Sequence, residues 1–110
     1  MIIQKQESFM KNGYNIQWTD NAINELKETI HYLQEKWTEK ELKNLAIELE
    51  KTTLLIAKNP FLFQESEFKK TIRRVVVLKH NTLYYRINSD KIQILSFFLN
   101  KQNPKKRKLK

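Results

Sequence analysis

The stretch "TIRRVVVLKHNTLYYRINSDKIQILSFFL", residues 71–99, decides the fold. Three runs rich in Val, Ile, Leu, Tyr and Phe are separated by "KHNT" and "NSDK", whose Asn, Ser and Asp supply turn chemistry. The spacing predicts three antiparallel strands over 72–78, 83–87 and 92–99, joined by two hairpins. A turn centred on His80 and Asn81 pairs Leu78 with Leu83, Val76 with Tyr85 and Arg74 with Ile87. A turn at Ser89 and Asp90 pairs Ile87 with Ile92 and Tyr85 with Ile94, and sets Leu95 beside Tyr84. On this register Ile72, Val76, Leu78, Leu83, Tyr85, Ile92 and Ile94 form the core face, with Arg74 at its edge. Arg73, Val75, Val77, Tyr84, Arg86, Leu95 and Phe97 face outward as a mixed basic, aromatic and apolar surface. A slip of one residue would exchange the two faces.

Working back toward the N-terminus, "YNIQW" (14–18) alternates and predicts a half-buried strand. Thr19 is a fitting N-cap and Asp20 suits the positive end of a helix. Ile23, Leu26, Ile30, Leu33 and Trp37 recur at steps of three and four, which is one apolar stripe, with Asn24, Glu25, Lys27 and Glu28 facing away. Thr38 and Glu41 form a capping box that restarts a helix at once. Its stripe is Leu42, Leu45, Leu49, Thr52 or Thr53, and Ile56, and Pro60 ends it by Lys58 or Asn59. Ile47 and Leu54 lie seven apart beside that stripe. They either widen the core face or stay open for a partner, and widening is the expectation. Residues 61–70, "FLFQESEFKK", read as a loop with aromatic anchors. The order strand, two helices, three strands predicts an α+β domain. It has a helical hairpin packed on one face of an antiparallel sheet that ends in a three-stranded meander.

The chain's 110 residues suffice for one domain, expected over 13–100, between a mobile arm at 1–12 and a basic tail at 101–110. The net charge is +9 and is unevenly spread. Residues 69–100 hold seven basic and one acidic residue, and residues 101–110 hold six basic and none acidic. That asymmetry points to an anionic partner, nucleic acid or acidic protein. No Cys is present, which excludes disulfides and zinc–thiolate sites. The two histidines, His31 beside the first helix's stripe and His80 in a turn, form no metal-ligating pair, so no metal and no cofactor are expected. No run reaches the roughly 20 apolar residues of a membrane span, and the N-terminus is too polar for a signal peptide. A cytoplasmic protein without membrane contact is expected.

No familiar catalytic motif occurs. Arginine binds phosphate through its forked guanidinium, and tyrosine stacks on bases or donates a proton. Arg73, Tyr84 and Arg86 are therefore the candidates for chemistry on RNA without a metal. The competing reading gives them to a partner surface.

The stretches "YNIQWTDNAINELKETIHYLQEKW", "IAKNP", "IRRVVVLKHNTLYYRI" and "IQILSFFLNKQNPKK" resemble the RelE/ParE superfamily of bacterial type II toxins, in particular its ParE-like members. The likeness runs from Tyr14 to Lys106. It implies a small basic toxin held inactive by a cognate acidic antitoxin that wraps around it. It implies one of two activities: cleavage of messenger RNA on the ribosome, as in RelE-like toxins, or action on DNA gyrase, as in ParE-like ones. Arg73 or Arg74 and Arg86 lie on the expected strands. The final strand lacks the Tyr or His of the RNA-cleaving members, and Lys101 stands where related sequences often carry Arg. The expected function is a growth-inhibiting ParE-like toxin. The alternatives are a RelE-type endoribonuclease and a basic nucleic-acid-binding domain that uses the tail. The expected partner surface is Arg73, Val75, Val77, Tyr84, Arg86, Leu95, Phe97, Lys101, Lys105 and Lys106. The assembly stays open between a homodimer and a toxin–antitoxin heteromer.

Overall fold

The computed structural model describes residues 14–36, 39–79 and 81–100. The elements follow as β1 (Asn15–Trp18), α1 (Asp20–Lys36), α2 (Glu39–Lys58), β2 (Ile72–Val77), β3 (Asn81–Asn88) and β4 (Lys91–Leu99). The expected arm 1–12, the tail 101–110, Trp37, Thr38 and His80 lie outside the described residues. The four strands form one sheet in the order β1-β4-β3-β2. β2, β3 and β4 make the expected antiparallel meander, but β1 pairs with β4 in parallel, so the sheet is mixed. A parallel neighbour needs a long crossover, and the helical hairpin supplies it.

Both helices lie against one face of the sheet. α1 contributes Ala22, Leu26, Thr29 and Leu33 to the core, and α2 contributes Leu45, Leu49, Thr52, Ile56 and Ala57. Ile23, Ile30 and Leu42, expected in the stripes, are half-buried. Sheet residues Ile16, Val77, Leu83, Tyr85, Ile92, Ile94 and Phe97 complete the core. Pro60 is buried and α2 ends at Lys58, as the proline rule requires. Ile47 and Leu54 do not widen the core. They point away from it, because each lies about half a turn round α2 from the stripe formed by Leu45, Leu49, Thr52 and Ile56.

β2 turns over relative to the sequence reading. Val77 pairs with Asn81, Val75 with Leu83 and Arg73 with Tyr85. The shift from the expected register is an odd number of residues, so Arg73, Val75 and Val77 face the helices, while Ile72, Arg74 and Val76 face outward. The cause is Asn81. It enters the strand instead of the turn, and its Nδ2 donates to Thr29 Oγ1 on α1 at 3.0 Å inside the core. The reversal falls instead on Leu78 and Lys79, with φ of 56° and 72°. Both left-handed conformations suit the twist of a hairpin but cost a residue with a Cβ about 1 kcal/mol each.

The second departure is a β-bulge. Tyr85 pairs with Ile94 as expected, but Tyr84 pairs with Ser96, leaving Leu95 as an extra residue in β4. Beyond it the faces of β4 exchange, so Phe97 enters the core and meets Trp18 edge-on at 6.1 Å. Backbone groups released by a bulge must find partners elsewhere. The first turns of α1 provide them. The Thr19 amide and hydroxyl donate to Ile94 O at 3.1 and 2.8 Å, and Asn21 Nδ2 donates to Leu95 O at 2.9 Å. Glu25 Oε1 accepts from the Phe97 amide at 2.8 Å and from Ser96 Oγ at 2.7 Å. Glu25, expected on the solvent side, is thus half-buried against β4. Thr19 also caps α1 as expected, its Oγ1 accepting from the Ala22 amide at 3.2 Å.

Two stability predictions follow from this geometry. Glu25→Ala leaves the Phe97 amide without its acceptor and lowers the unfolding free energy in urea by about 1.5–3 kcal/mol; Glu25→Gln keeps an acceptor and lowers it less. Lys79→Gly relieves a left-handed Cβ and raises stability by about 0.5–1 kcal/mol in the same measurement.

Candidate functional site: the outer face of the sheet

The face turned away from the helices carries Ile72, Arg74 and Val76 on β2, Tyr84 and Arg86 on β3, and Leu95 and Phe98 on β4. The loop before β2 folds over one side of it. Ser66 Oγ accepts from the Phe68 and Lys69 amides, both at 3.1 Å, and donates to Lys69 O at 3.1 Å. This tight turn sets the Phe68 ring 5.6 Å from that of Tyr84. Phe68, Ile72, Tyr84, Leu95, Ser96 and Phe98 then line an open groove of about 340 Å³. Its walls are almost wholly apolar, and Phe68 and Phe98 are 68% and 47% exposed. The bulge makes this groove: it keeps Leu95 outward and brings Phe98 round to the same side.

Of the expected surface residues, Tyr84, Arg86 and Leu95 are on this face. Arg73, Val75, Val77 and Phe97 are not; the β2 register and the bulge turn them to the helix side. Lys101, Lys105 and Lys106 lie outside the described residues. The sequence reading missed Phe68, Ile72 and Phe98. Phe68 could have been suspected from "SEFKK", where Ser66 two residues earlier signals a local turn.

The two basic residues at the start of β2 are held by the preceding loop. Arg73 Nη1 donates to Phe63 O at 2.6 Å, its Nη2 lies 4.0 Å from Glu65, and the guanidinium stands 5.1 Å from the centre of the Phe61 ring. Its side chain is only 19% exposed. Arg74 Nε lies 3.5 Å from Glu67. Arg86 is exposed and donates from Nη2 to Gln93 Oε1 at 3.0 Å. Arg73 is therefore on the opposite face of the sheet from Tyr84 and Arg86, and the three candidates for RNA chemistry do not converge. Of the two histidines, His31 is exposed with its Nε2 3.5 Å from Glu35. Among the described residues no group of three or more His, Asp or Glu could hold a metal ion, and no helix is long and apolar enough to cross a membrane.

Adjacent Tyr84 and Tyr85 have opposite fates. Tyr85 is fully buried and its hydroxyl donates to Pro60 O at 2.6 Å, tying β3 to the end of α2. Burial pushes its pKa from 10.0 up to about 12, and nearby Arg73 only partly offsets this.

A strand, a helical hairpin and a meander thus carry an open apolar groove on the sheet face turned away from the helices. The chain belongs to the ParE toxin family of type II toxin–antitoxin (parDE) systems, whose family model matches residues 16–104. It is therefore the toxin component of such a module. Among solved structures it is similar to a chain of the chromosomal ParDE toxin–antitoxin system from P. aeruginosa. The TM-score is 0.60 and the identity 20%, covering 76% of this chain and 92% of that one, a likeness of fold. No curated protein matches the chain.

The buried tyrosine makes a pH prediction. From pH 10 to about 12 the folded state keeps a proton that the unfolded chain releases. Stability contributed by Tyr85 is whole below that window and lost as pH rises through it, at up to about 1.4 kcal/mol per pH unit. In urea titrations Tyr85→Phe is expected to show a shallower alkaline loss than the parent chain. Equal slopes would contradict the assignment.

Proposed function

We propose that this toxin arrests growth by acting on DNA gyrase, and that its cognate antitoxin neutralises it by covering the outer sheet groove. The carrying observation is the continuous apolar floor of Phe68, Ile72, Tyr84, Leu95 and Phe98 beside the exposed Arg86. Exposed apolar patches of this kind serve as interaction sites. An acidic, apolar antitoxin segment matches the groove in both respects: its apolar side chains fill the floor, and its carboxylates meet Arg86 and the exposed Lys69 and Lys70 that follow Phe68. Gyrase is preferred over messenger RNA because Arg73 is committed to Phe63 O and Glu65 on the other face of the sheet. A target that is gripped needs surface complementarity, whereas RNA cleavage needs converging acid, base and phosphate ligands.

The test joins two assays. Purified toxin is expected to inhibit gyrase supercoiling and to leave translated messages uncut, and co-expression with the neighbouring gene's product is expected to restore growth. Phe68→Glu and Phe98→Glu change exposed positions, and each is expected to weaken the antitoxin complex at least about tenfold, or 1.4 kcal/mol, with the thermal melt retained. Full supercoiling in the presence of toxin would overturn the gyrase reading. Undiminished antitoxin affinity in both variants would overturn the groove as its seat.

A further inference from the structure

The solvent pole of α2, on the far side of the molecule from the groove, carries a second patterned surface. Lys40, Lys43, Ile47, Lys51, Leu54 and Lys58 recur at steps of three and four and so share one line along the helix. The line is about 27 Å long at 1.5 Å per residue. Ile47 and Leu54 at its middle are 53% and 47% exposed. The four lysines are exposed; Lys51 stands 3.5 Å from Glu48 in an exposed pair of the kind that is worth little. Glu50 lies three residues after Ile47 and four before Leu54 and so shares the line as its one carboxylate, and Leu55, 48% exposed, borders it. Neither core packing nor a helix cap accounts for two large aliphatic side chains at this pole, and a solvated helix face would carry polar residues there.

We infer that this stripe docks an acidic amphipathic helix of a partner protein, a second interface beyond the groove of the proposed function. Charge complementarity selects the occupant. The partner's apolar side chains cover Ile47 and Leu54, and its flanking carboxylates meet Lys40, Lys43, Lys51 and Lys58. In a second copy, antiparallel pairing of Ile47 with Leu54 sets Lys43 against Lys58 and Lys51 against Glu50, which leaves two lysines unmatched, and parallel pairing sets every lysine against itself. Duplex nucleic acid would meet the lysines through its phosphates but has no use for Ile47 and Leu54 at the centre.

The probe is a fluorescein-labelled 21-residue helical peptide with Leu at a and d positions and Glu at e and g. Binding is read by fluorescence anisotropy on the full chain in the Phe98→Glu background, which blocks the outer groove. The peptide is expected to bind, and Ile47→Gln with Leu54→Gln to weaken it at least about tenfold. Both positions are half-exposed and Gln is a good helix former, so the fold is retained. Lys43→Glu with Lys51→Glu is expected to lose this peptide and to gain its Lys-for-Glu counterpart. Equal affinity with and without Ile47 and Leu54 would overturn the proposal. So would duplex DNA binding that needs the lysines but not the aliphatic pair, or a dimer in sedimentation that the double Gln variant dissolves.

Discussion

The carboxylate of Glu25 holds the point at which β4 changes face. A bulge strands backbone groups, and a sheet that buries them unsatisfied would rather lose the extra residue. Here α1 takes over the edge of β4 where β1 stops: Thr19, Asn21 and Glu25 bond to Ile94, Leu95, Ser96 and Phe97 in turn. With that substitution made, Phe97 fills the core against Trp18 while Leu95 and Phe98 share the outer side. Core and groove are two results of one inserted residue.

The elements were readable in the sequence because their signals are local. Thr19 caps α1, Pro60 stops α2, and the apolar runs of 71–99 alternate with turn residues. The pairing of β3 with β4 was readable as far as Tyr85. What was not readable depended on contacts distant in the chain. Asn81 looks like a turn residue, and only Thr29 on α1, 52 residues away, draws it into the strand and turns β2 over. Nothing near Leu95 announces a bulge, since the groups that stabilise it lie on α1. The error on Arg73, Val75, Val77 and Phe97 has these two sources. Tyr84, Arg86 and Leu95 kept the outward side because β3 and β4 up to the bulge keep the expected register.

Charge counting had a similar limit. Residues 69–100 read as strongly basic, yet Arg73 and Arg74 are met by Glu65 and Glu67 from the loop just before them. That loop bonds to the edge of β2, with Ser66 donating to Ile72 O and Arg74 donating to Gln64 O. It covers part of an open sheet edge and neutralises two guanidinium groups together. Free positive charge on the described surface is therefore concentrated on lysines, which are strongly hydrated point charges rather than forked phosphate ligands.

The parallel pairing of β1 with β4 also bears on when the protein becomes itself. Among the described residues β1 has no other neighbour in the sheet, so it waits for β4 to be synthesised. Both long helices and two further strands are translated before residues 91–94 exist to receive it. Until then α1 has no bulge to stitch and the core lacks Ile92, Ile94 and Phe97. The nascent chain is thus an incomplete fold until β4 has been made. The helical hairpin, translated whole before β4, therefore spends that interval without the sheet residues that bury its apolar stripes.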